Sequence, residues 1–157
     1  MIKAQSRRMF QVLALVAAGL MMAGQTFAAS ANSELGTWKM DPAKSKSNNK
    51  SVTNMIEAVG EGIKVTVEVG RMDGSVTKYY YVANFDGKFN PIIGLSASGD
   101  EVAATRIDAN TVKYAFNRAG KAAGSQTVVV PADGKTRTQT FMNATGQPGM
   151  IQVYDKQ

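Results

Sequence analysis

The side chains available for chemistry in this chain are carboxylates, tyrosines, arginines and lysines, because its 157 residues contain no His and no Cys. That composition excludes Ser-His-Asp and Cys-His nucleophiles, zinc sites of the usual kind and disulfides. A hard cation held by oxygen would need a dense run of carboxylates, and the sequence has none. Asp100 and Glu101 are adjacent. On a strand they would point to opposite faces, which does not suit an acid and base working on one substrate. Met40, Met55, Met72, Met142 and Met150 are scattered rather than clustered, unlike a copper site. The expectation is a protein with no cofactor and no metal, leaning away from catalysis.

Binding is what remains. Tyr79, Tyr81 and Phe85 recur at even spacing in one segment, and Tyr114 and Phe116 do so in another. Placed on one face of a sheet, these rings could line a cavity for a small apolar or amphipathic ligand, with Arg106 as polar anchor for an acid group. Arg106 shares parity with Val102 and Ala104, so its guanidinium would need an interior partner to offset desolvation. The same rings could instead be packed solid. That alternative is a structural or protein-interaction module with a filled interior.

The elements that must position these residues read as strands. Turn signals recur every 10 to 13 residues or so: Gly60-Glu61-Gly62, Asp73-Gly74, Asp86-Gly87, Ser98-Gly99-Asp100, Asp108-Ala109-Asn110, Ala119-Gly120, Asp133-Gly134 and the stretch from Thr145 to Gly149. Between them runs an alternation of period two, clearest in Ile63, Val65, Val67 and Val69 against Lys64, Thr66 and Glu68. Val112, Tyr114 and Phe116 repeat it, Val128-Val129-Val130 is apolar on both faces, and Ile151 and Val153 form a short closing strand. No segment past the N-terminus carries an apolar stripe at helical period. Counting an opening strand at Leu35 to Met40, the pattern predicts an all-β domain over 35–156. Its form is an antiparallel up-and-down barrel of about eight to ten strands, which removes the exposed edges of a flat sheet. Lys64, Glu68, Lys78 and Lys113 on the second faces exclude a lipid-facing barrel, and no integral membrane span is expected in the mature chain.

Ahead of that domain, Lys3, Arg7 and Arg8 precede an uncharged apolar run from Val12 to Ala23 and then small residues. This is the pattern of a cleaved secretory signal over 1–28, with cleavage after Ala28 or Ala31. Ser6-Arg7-Arg8-Met9-Phe10 resembles the twin-arginine export signal, but the Leu and Lys of the fuller pattern are missing, so the general secretory route is favoured. The expected location is the periplasm or the medium. Of the 18 basic residues three lie in the signal, which leaves 15 against 12 acids. Lys39, Lys44, Lys46 and Lys50 have no interleaved aromatics, so no nucleic-acid partner is expected.

Gly36-Thr37-Trp38, a Gly-x-Trp at the opening strand, is followed by Lys39 to Lys46, Phe85-Asp86-Gly87-Lys88 with Pro91, Arg106 to Thr111, and Val153-Tyr154-Asp155-Lys156. In this ordered set the chain resembles the lipocalin-like, calycin-type group of small exported bacterial β-barrel domains, across nearly all of the mature sequence. The resemblance implies a barrel floor closed by Trp38, a structural residue, with a late-strand Arg packed across its ring. No Arg stands in the last strand, so Arg137 or Arg106 is expected to take that place.

Overall fold

The computed structural model describes residues 33–157. The export signal expected over 1–28, with its cleavage points, lies outside the described residues. Eleven strands follow one another: β1 (Gly36–Met40), β2 (Asn49–Val59), β3 (Gly62–Arg71), β4 (Val76–Ala83), β5 (Asp86–Pro91), β6 (Ile93–Gly94), β7 (Glu101–Arg106), β8 (Thr111–Arg118), β9 (Lys121–Val129), β10 (Thr136–Asn143) and β11 (Pro148–Lys156). They form one antiparallel sheet in the order β5-β7-β8-β9-β10-β11-β1-β2-β3-β4-β6. The fold is the all-β barrel that the alternation predicts.

Most of the sheet is a plain meander. Its first and last long strands meet where Trp38 pairs with Lys156 and Met40 with Tyr154. The simple up-and-down order fails at one place. Asp86-Gly87, expected as a hairpin turn, lies inside β5, and β5 pairs with β7 rather than with β4. Phe85 and Gly87 adopt positive φ of 58° and 73°, which turns the chain away from β4. Two-residue β6 then returns to β4, pairing Ile93 with Tyr80. This excursion raises the strand count above the expected eight to ten. It also leaves the two edge strands consecutive in the chain, with β4 coming up against β5 and β7 to nearly close the barrel.

The inward rows form the core. Ile63, Val65 and Val67 of β3, Tyr81 and Ala83 of β4, Val102 and Ala104 of β7, and Val112, Tyr114 and Phe116 of β8 are all buried. Val128 and Val130 are buried as well, whereas Val129 between them is exposed, so that run presents one apolar face to solvent. In β11 the polar row takes the inward face. Ile151 and Val153 are half-buried, while Gln152 and Tyr154 point inward and are buried. Pairing fixes this: Arg137 faces Tyr154 and Gln139 faces Gln152, so the inward row of β10 determines that of β11.

Candidate ligand-binding cavity

One end of the barrel is closed. Trp38 and Tyr114 are fully buried there, and the segment before β1 plugs the space between them. The Trp38 indole N–H donates to the Glu34 carbonyl at 2.8 Å, and the Tyr114 hydroxyl donates to Glu34 Oε2 at 3.1 Å. Arg106 Nη1 lies 3.9 Å from Glu34 Oε1, and its guanidinium stacks 4.3 Å from the Phe85 ring centroid. Arg106 therefore does point inward, and Glu34 is the partner its desolvation requires. Neither Arg106 nor Arg137 covers Trp38. Lys156 does, from the last strand, with Nζ 5.1 Å from the ring centroid.

Above this plug the barrel holds a cavity of about 240 Å³. It is larger than the ~150 Å³ engineered cavity that admits benzene and somewhat smaller than the ~300 Å³ at which drug-sized pockets begin. Val52, Val67, Val69, Phe116, Phe141 and Met150 give it apolar walls. Asn54, Gln126, Gln139, Gln152, Tyr79 and Tyr154 add polar groups, and Asn48, Arg71 and Leu95 stand at the open end. Of the residues singled out from sequence, Tyr79, Tyr81 and Phe116 line the cavity. Tyr114, Phe85 and Arg106 belong instead to the plugged end, where Tyr81 meets Tyr114 edge to face at 6.1 Å.

The polar part of the lining escaped the sequence reading. Asn54, Gln126, Gln139 and Gln152 are each at most 5% exposed, and Arg137 is 0% exposed. With its amide oriented by the surrounding network, the Gln139 oxygen accepts from both terminal nitrogens of Arg137. Its NH2 then donates to the Tyr154 hydroxyl at 3.0 Å. That hydroxyl donates to Gln152 Oε1 at 2.7 Å, and Gln152 Nε2 donates to Ser47 Oγ at 2.9 Å. The five groups form one directed row along the barrel wall. The only sequence signal for it is parity, since Arg137 and Gln139 alternate with Thr136, Thr138 and Thr140.

Burial sets the protonation of the rings. It pushes the Tyr79 phenol up to about 12, against opposing effects from a Ser96 hydrogen bond and the Arg137 charge. Tyr81, Tyr114 and Tyr154 are raised further, again chiefly by burial. All four are neutral donors near pH 7. Among the described residues no group of acids is placed to hold a metal ion.

Fold and cavity together define the class: a nearly closed antiparallel β-barrel with a plugged floor and a partly polar interior. No family model and no curated protein matches the chain. Among solved structures it is similar to zebrafish ileal bile acid-binding protein complexed with cholic acid, at 12% identity and a TM-score of 0.45. That match covers 80% of this chain and 99% of the other.

Proposed function

We propose that the protein is an exported soluble barrel that binds one small apolar or amphipathic ligand without transforming it. The carrying observation is the 240 Å³ cavity, with apolar walls, amide and phenol groups at its base, and an open end. Its size and open end suit a small compound of one or two linked ring systems, or a short chain. The basic, apolar and small-residue series at the N-terminus supports export to the periplasm or medium. No helix among the described residues is long and apolar enough to cross a membrane.

A neutral fluorescent probe, N-phenyl-1-naphthylamine, tests this reading. Emission should rise to saturation at one probe per chain. Val69→Phe, which fills the wall, should abolish the rise while leaving the urea midpoint nearly unchanged. Absence of saturable binding, or binding indifferent to Val69→Phe, overturns the reading. The second reading, an interaction module, draws on exposed apolar groups near the β4–β6 edge: Val76, Tyr80, Ile93 and Leu95. Stoichiometric capture of a protein partner with an empty cavity in native mass spectrometry would favour it.

A further inference from the structure

The interior of this barrel carries more positive than negative charge. Every one of the twelve acids in the chain lies at or after position 34, and among them only Glu34 is buried. Glu34 is already engaged with Arg106 and Tyr114. Arg137 is fully enclosed, has no carboxylate within ion-pair distance, and leaves its Nε without a partner. Its contacts are a neutral amide, Gln139, and the face of the Tyr154 ring, 5.7 Å from centroid to guanidinium carbon. A buried cation held only by dipoles is costly unless something supplies the opposite charge.

The cavity is where that charge could come from. Gln139 and Tyr154, which touch Arg137, also line the cavity, and so does Asn54, whose buried amide lies beside the Tyr154 hydroxyl. The hydrogen bonds from Arg137 through Gln139, Tyr154 and Gln152 to Ser47 all run in one direction, each group donating to the next. Aligned in this way, the dipoles carry the positive potential of the guanidinium along the cavity wall, and polarise one another as they do so. Apolar groups, Val69, Phe116 and Phe141, make up much of the remaining lining.

We infer that the cavity selects an amphiphile with an anionic head group, a carboxylate or a phosphate, seated against Asn54 and Gln139 over Arg137 with its apolar tail toward the mouth. This rests on the cavity reading above and adds the charge of the ligand. Arg137 acts here as a positioning residue through Gln139 rather than by entering the cavity.

The test compares octanoate, octyl phosphate and 1-octanol at pH 8, each displacing N-phenyl-1-naphthylamine from the wild-type protein. At least one acid should bind tenfold or more tighter than the alcohol, and the tighter of the two identifies the head group. Gln139→Glu places a carboxylate on Arg137 at little change in shape. That variant should lose the preference for acids and unfold at higher urea than wild type. Equal binding of acid and alcohol by wild type overturns the inference while leaving the cavity reading intact. Failure of all three to displace the probe overturns both. An undiminished acid preference in folded Gln139→Glu also overturns the inference, and the wild-type comparison decides the matter should that variant not fold.

Discussion

Lys156 sits directly across the β11–β1 pair from Trp38, and its ammonium lies 5.1 Å from the centre of the indole ring. The Gly of Gly-x-Trp makes room for this. Gly36 has φ of 119°, and a Cβ there would come within 3.1 Å of Lys156 Cε. The motif is thus a three-residue device: Trp38 closes the floor, Lys156 covers its ring, and Gly36 keeps the stem of Lys156 clear.

Lys156→Ala should therefore destabilise the barrel by ~0.5–1 kcal/mol, the usual worth of an exposed cation over an aromatic face. Lys156→Arg should retain most of that stability. Gly36→Ala should cost more than Lys156→Ala, because it adds backbone strain to the lost contact. Urea unfolding of the three variants checks the order.

Glu34 offsets the charge of Arg106 at 3.9 Å in a largely dry site. Glu34→Ala strands the guanidinium and should cost ~3 kcal/mol, as breaking a buried pair does. Pairing it with Arg106→Met should return much of the loss. A double-mutant cycle in urea with coupling below ~0.5 kcal/mol would show that the two residues act independently.

Tyr114 and Tyr81 touch, yet their hydroxyls differ in environment. Tyr114 donates to a carboxylate, so Tyr114→Phe should lose ~1.5–3 kcal/mol, the range for hydrogen bonds to charged groups. Tyr81 lines the cavity, and Tyr81→Phe should stay within ~1 kcal/mol. Comparable losses at both positions would mean that the Tyr81 hydroxyl is also held by the fold.

Alkaline pH should unfold the protein through its tyrosines. Phenols in the unfolded chain ionise near 10, whereas burial raises Tyr79 to about 12 and Tyr81, Tyr114 and Tyr154 higher still. Above pH 10 the unfolded state binds fewer protons than the folded one, so stability is full below that pH and falls as pH rises through the folded values. Tyrosinate absorbance for these four rings should appear together with loss of the β-sheet circular dichroism. Ionisation of all five tyrosines while the sheet persists would contradict their burial.

Where hydropathy and facing agree, the sequence by itself determined the structure. Ile63, Val65, Val67 and Val69 against Lys64, Thr66 and Glu68 can be arranged in only one way on a sheet with a wet outer face. The Gly and Asp turns then fold such strands into a meander that closes as a barrel. The inward polar row is another matter. Arg137, Gln139 and Gln152 alternate with Thr136, Thr138, Ile151 and Val153, and by hydropathy the second set belongs inside. Pairing between β10 and β11 decided otherwise, because the partners of a buried polar group come from other strands and have no local signature. The same holds at the plug. Glu34 and Arg106 are 72 positions apart, and only closure of the barrel brings their charges together. It is closure, too, that leaves Arg137 enclosed beside the cavity without a carboxylate, since which charges share an interior is a property of the whole sheet.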